Sequence, residues 1–171
     1  MTINFIKSLV LTASLLLASH LGFSQNLTMS QLVQIRKMNI GEITNFMTQK
    51  NWELLSASEE TDDSFGELVF AYEKSIYDDK AISFLYYTFS EDLAITRVSI
   101  QVNIKSKYNE YMNAIKGYGT KYIGSTVSDK KIFQLYKGAT TSFIISNGTT
   151  DNYYNANKSY WNIELRSNDD N

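Results

Sequence analysis

The chain of 171 residues contains no cysteine, no proline and a single histidine, His20. Without thiols there is no disulfide scaffold, no thiol nucleophile and no zinc ribbon. The absence of proline and a glycine count of only 8 exclude polyproline and collagen-like segments. A surplus of one charge is missing too. Lys and Arg number 16 against 18 Asp and Glu, which rules out the large basic excess of a protein that lives on nucleic acid.

The first feature present is an N-terminal segment unlike the rest. Lys7 precedes an apolar run from Leu9 to Leu17 broken only by Thr12 and Ser14, and the small residues Gly22 and Ser24 precede Gln25. A charged start, a short apolar stretch and small residues at the cut predict a signal peptide over 1–24. Even the longer stretch from Leu9 to Phe23 falls short of the roughly 17 to 25 residues that span a bilayer. The expected product is exported, periplasmic or extracellular, with no stable membrane insertion after cleavage. Removal of the segment takes His20 with it. Residues 25–171 then lack the commonest general base, the commonest metal ligand and the thiolate nucleophile, so neither catalysis, cofactor nor metal is expected.

Two helices are predicted to open the mature chain. Thr28 with Gln31 and Asn39 with Glu42 have the spacing of capping boxes, and Met29, Leu32, Val33 and Ile35, then Ile43, Phe46 and Met47, follow at helical spacing. Arg36 and Lys37 read as a solvated helix end. From Trp52 the period falls to two. Trp52–Ala57, Gly66–Ser75, Ala81–Phe89 and Ala94–Val102 are rich in β-branched and aromatic residues and read as a meander of strands. Trp52 is expected to be buried against the helices.

A third helix is predicted with Ser106 as its cap, Tyr108, Tyr111, Met112 and Ile115 along one face, and Gly117 or Gly119 as its stop. Four further strands follow at Lys121–Val127, Lys131–Lys137, Thr140–Ser146 and Ser159–Arg166. The expected class is α+β, with helices packed on one face of an antiparallel sheet and the α-β4 unit a candidate duplication over 28–103 and 104–167 within one domain. A helix-loop-helix leading into a four-stranded sheet, repeated in tandem from Thr28 to Arg166, resembles the architecture of beta-lactamase inhibitory protein-like domains and of small outer-membrane assembly lipoproteins with a single such unit. The resemblance rests on element order and length. It implies a protein-binding sheet face and lends no binding residue.

Several strings invite chemistry. Ser128 and Lys131 have the S-x-x-K spacing of penicillin-recognising enzymes, but they fall in a polar turn between two strands and read as a hairpin. Glu59, Glu60, Asp62 and Asp63 lack the spacing of a calcium loop and read as an exposed acidic turn. Asn26, Asn147 and Asn157 open N-x-S/T strings at a frequency close to chance. Tyrosine is the abundant residue, with 12 in the chain. Tyr86 and Tyr87 adjoin in one strand, so at most one enters a one-sided core and the other lies on the open face.

The connector Asn147–Lys158 lacks Leu, Ile, Val and Met and carries Asn152, Tyr153, Tyr154 and Asn155, the vocabulary of adaptable binding loops. These four residues, with Tyr86 and Tyr87, are the candidate binding residues. The expected function is a non-catalytic protein-protein interaction module of the inhibitor, immunity or envelope-assembly type. A carbohydrate-binding or carbohydrate-processing protein is the alternative. It would show exposed rings beside Asn and Asp in a cleft, whereas a protein site would show a broad apolar face.

Overall fold

The computed structural model describes residues 27–77, 80–129, 131–150 and 158–170. Helices α1 (Met29–Ile35) and α2 (Ile40–Gln49) begin where the capping boxes predict. The Gln31 N–H donates to Thr28 Oγ1 at 3.2 Å and the Thr28 N–H donates to Gln31 Oε1 at 2.8 Å. Asn39 and Glu42 repeat the exchange at 2.9 and 3.0 Å, so each box satisfies donors that a helix start leaves free. Helix α3 (Lys105–Gly117) departs from expectation: Ile104 holds the cap position with no side-chain hydrogen bond, and Ser106 lies inside the first turn. Gly119, at φ 68°, adopts the left-handed conformation just past its end, and its N–H donates to the Lys116 carbonyl. Among the described residues no helix is long and apolar enough to cross a membrane.

The strands are β1 (Trp52–Ser58), β2 (Gly66–Lys74), β3 (Ala81–Phe89), β4 (Thr96–Val102), β5 (Lys121–Ser128), β6 (Lys131–Lys137), β7 (Thr141–Thr150) and β8 (Lys158–Ser167). They form one antiparallel sheet in the order β1-β2-β3-β4-β8-β7-β6-β5. This corrects the expected α+β arrangement of helices packed on one face of a four-stranded sheet, with its α-β4 unit. The strands do not divide into four-stranded sheets. Residues Val98 to Val102 of β4 pair with Leu165 to Trp161 of β8, closing what would otherwise be two more raw edges. The helices, of 7, 10 and 13 residues, are minor beside that sheet.

One core joins the sheet to the helices. Leu32, Ile35, Ile43, Met47, Tyr111 and Ile115 meet Phe70, Leu85, Tyr87, Val98, Ile100, Ile163 and Leu165, all essentially sealed from solvent. Two buried tyrosines also pin backbone: the Tyr87 hydroxyl donates to the Met38 carbonyl at 2.6 Å, and that of Tyr111 to the Leu27 carbonyl at 2.9 Å. Burial holds the Tyr111 phenol far above its ordinary pKa. Trp52 is buried as expected and tilts against Tyr72 with ring centroids 5.4 Å apart. Arg36, expected at a solvated helix end, is instead buried. Its Nε is the one fully buried side-chain polar atom without a hydrogen bond among the described residues.

The long connector is also shorter than its composition suggests. Asn147–Thr150 continue β7 and pair with Trp161, Tyr160, Ser159 and Lys158 of β8. The pairing of β6 with β7 reaches only Ser146, and that of β4 with β8 only Trp161, so this stretch stands out as a two-stranded ribbon. Backbone pairing with the partner strand needs no aliphatic side chains, which is why a polar stretch is drawn into the sheet.

Candidate functional site

Alternation along each strand divides the sheet into a sealed face and an open one. In β3, Ser83, Leu85, Tyr87 and Phe89 are buried while Ile82, Phe84, Tyr86 and Thr88 are half-buried. The register carries the open face across all eight strands. One continuous rung runs Ser56, Val69, Tyr86, Ser99, Glu164, Ile144, Leu135, Gly124. It is polar at its centre, apolar on both flanks and ends at a glycine on the sheet edge.

On the β5 side this face is hollowed into an open groove of about 650 Å³. Ile123, Phe133, Leu135 and Ile144 supply its apolar surface, with Ser125, Thr126 and Gln134 on its walls. Arg97, Glu164 and Arg166 supply charge. Gly124 has nothing within 4 Å of where a Cβ would stand, so the groove is unobstructed at that edge.

The charged part of the groove joins Arg97 of β4 to Glu164 and Arg166 of β8. Arg97 donates to both carboxylate oxygens of Asp170, Nε and Nη2 each at 2.7 Å, and stacks over the Phe65 ring at 5.2 Å. The Arg97 hydrogen bonds hold the Asp170 carboxyl below its ordinary pKa, and Asp170 in turn raises that of Arg97. Arg166 lies 3.7 Å from Glu164. Asn168 braces the same region, donating to the Gly138 and Ala139 carbonyls and accepting from the Ser142 hydroxyl at 2.8 Å. Near the centre of the face the Asn162 amide donates to the Ser99 hydroxyl at 2.7 Å. The Arg97 guanidinium is thus held by two hydrogen bonds, whereas Arg166 has the longer ion pair with Glu164.

Tyr86 sits on this open face, and burial, then the charge of Glu67, then Tyr160, raise its phenol pKa. Tyr160 covers Gly148, its cross-strand partner, so closely that a Cβ there would stand 2.4 Å from the ring. Tyr87 belongs to the core and is withdrawn from the candidate binding residues. Asn152, Tyr153, Tyr154 and Asn155 lie outside the described residues.

The other strings resolve into structure. Ser128 pairs with Lys131 across a hairpin in which Asp129 has φ 49°, so the S-x-x-K string is a turn. In the acidic turn the Glu91 N–H donates to Glu60 Oε2 at 2.6 Å. Asp92 accepts from the Ser90 hydroxyl and the Ala94 N–H, which lowers its pKa. Among the described residues no group of three or more His, Cys, Asp or Glu is placed to hold a metal ion.

The groove residues escaped sequence reasoning, although a signal was present. Phe84 and Tyr86 in β3, Phe133 and Leu135 in β6, and Ile144 in β7 alternate with the core-facing residues of their strands. Strands that are apolar on both sides, in a sheet with few helices to cover it, leave apolar surface on the open face. No protein-family model, no curated protein and no solved structure matches this chain.

Proposed function

We propose that this chain is an exported, non-catalytic protein-binding module that works through the open face of its sheet. The observation that carries the reading is the groove, an apolar channel bounded by Arg97, which Asp170 holds in place, and by Arg166, and reaching a sheet edge. Protein partners are held by an apolar centre with a polar rim, and arginine is favoured in such surfaces. A glycan would call for exposed rings stacked beside amides. Among the described residues the groove has a single aromatic ring, Phe133, which is half-buried, and its remaining apolar surface is aliphatic. That composition favours a protein over a carbohydrate. Inhibition, immunity and envelope assembly all employ surfaces of this kind, and the exported address keeps the partner in the same compartment.

The test is capture from the envelope fraction of the protein's own host with a photo-reactive residue at Thr126, the cross-strand partner of Phe133 in the groove, beside an L135S/I144S variant. The expected result is a discrete cross-linked partner whose yield falls more than about tenfold in the variant while the melting transition stays close to the parent's. Equal capture by both proteins would overturn the reading. Mass spectrometry of the exported chain checks the address, with an N-terminus at or near Gln25 expected.

A further inference from the structure

The two edges of the sheet are chemically opposite. Residues 27–103, which hold β1 to β4, carry 12 acidic and 6 basic side chains, whereas 104–171, which hold β5 to β8, carry 6 acidic and 9 basic. The difference is sharpest at the ends. Exposed Lys121, Lys131 and Lys137 surround β5, while exposed Glu53, Glu59, Asp62 and Asp63 lie along and just beyond β1.

Among the described residues β5 pairs with β6 alone and β1 with β2 alone, so each presents one row of unused backbone donors and acceptors. The β5 stretch from Tyr122 to Ser128 has no charged residue and no proline to blunt the edge, although its register shifts between Tyr122 and Gly124, as that of β1 does between Leu54 and Ser56. It also shows apolar surface, with Ile123 56% and Val127 72% exposed.

Direction makes the two edges compatible. Seven antiparallel pairings separate β1 from β5, so these strands run in opposite senses. A second copy translated along the strand order, its sealed face on the same side, therefore sets its β1 antiparallel to β5 and continues the alternation. In that arrangement Lys121 and Lys137 at one end meet the Glu59–Asp63 turn, and Lys131 at the other end meets Glu53. Pairing β5 with the β5 of another copy would instead bring lysines onto lysines. We infer that the β5 edge receives the β1 edge of a second copy of this chain, giving a head-to-tail association that repeats the open face. This inference does not depend on the function proposed above. A heterologous contact of this kind does not stop at a dimer unless a ring closes.

Sedimentation of the protein as its host exports it, from about 10 μM to about 1 mM, covers the range in which a small edge interface associates. At about 0.02 M salt the mass should rise with concentration past that of a dimer. At about 0.5 M salt the concentration needed should increase more than tenfold, because the paired charges are exposed and screened. The K121E/K131E/K137E variant, acidic at both edges, should remain monomeric. So should E53K/E59K/D62K/D63K, basic at both edges. An equimolar mixture of the two should associate, since every β5–β1 contact between unlike variants is again complementary.

A constant monomer mass at low salt would overturn the inference. A dimer that stops at two copies and survives the lysine changes would also overturn it. Recovery in the mixture shows that both variants fold, and the salt dependence of the unaltered protein stands as a test that needs no variant.

Discussion

Tyr86 and Tyr87 are neighbours in β3 and meet opposite fates. Tyr87 is sealed between helix and sheet with its hydroxyl on the Met38 carbonyl. Tyr86 stands half-exposed in a rung that leads to the groove. The difference teaches that this sheet has one face committed to the core and another left open, with apolar side chains on both. Strand alternation alone separates them, so a single-residue shift of register would exchange their roles.

The comparison breaks most visibly at the tyrosines. Tyr87→Ala should cost about 3 to 5 kcal/mol in a denaturant melt, the range for deleting a buried aromatic. Tyr86→Ala should cost no more than about 1 to 1.5 kcal/mol, in proportion to the area it hides. Equal losses would mean that both faces are core. Tyr87→Phe isolates the polar part and should cost about 1 to 3 kcal/mol by leaving the Met38 carbonyl unpaired.

Two glycines repeat the contrast on a smaller scale. Gly66 lies under the ring of its cross-strand partner Phe89, on the sealed side, and Gly148 lies under that of Tyr160, on the open side. A Cβ at either would stand within about 2.5 Å of the ring. Phe89 is buried beside Tyr87 and has little room to yield, so Gly66→Ala should lower stability by about 1 to 3 kcal/mol. Tyr160 is half-exposed and can swing aside, so thermal melts of Gly148→Ala should show a loss below about 1 kcal/mol.

The ion pair on the open face sharpens the comparison further. Asp170 has its pKa lowered in the folded state, so its contribution is full above the unfolded carboxylate value near 3.9 and is lost as pH falls through the lowered folded value. Asp170→Asn should cost about 1 to 2 kcal/mol at neutral pH, the lower part of the range for charged hydrogen bonds because Arg97 retains access to water. Melts recorded from pH 7 down to pH 2 should show the variant's deficit shrinking below about pH 4. A deficit independent of pH would assign the loss to packing.

Much of the local structure was legible from residue order. Both capping boxes, the helical faces built on Leu32, Ile43 and Ile115, and Ala81–Phe89 and Lys131–Lys137 as strands follow from short-range rules, because side-chain spacing and backbone donors act within a few residues. The start of α3 was misread at Ser106, since a helix entered from a strand can begin without a side-chain cap when its apolar face is buried. Burial of Arg36 was equally invisible. It depends on which element packs over a helix end, not on the helix itself.

The sequence by itself determined the elements, the one-sided polarity of β4 and the division of charge between its halves. Only the tertiary structure decided that β4 pairs with β8, that the chain therefore makes a single eight-stranded sheet, and that Arg97 meets Asp170, 73 residues away. It also brought Phe133, Leu135 and Ile144 beside Arg166 to form the groove. Pairing between distant strands is chosen by backbone groups that are the same at every residue, and by the burial of apolar surface summed over the whole core. Neither quantity is written in any local pattern.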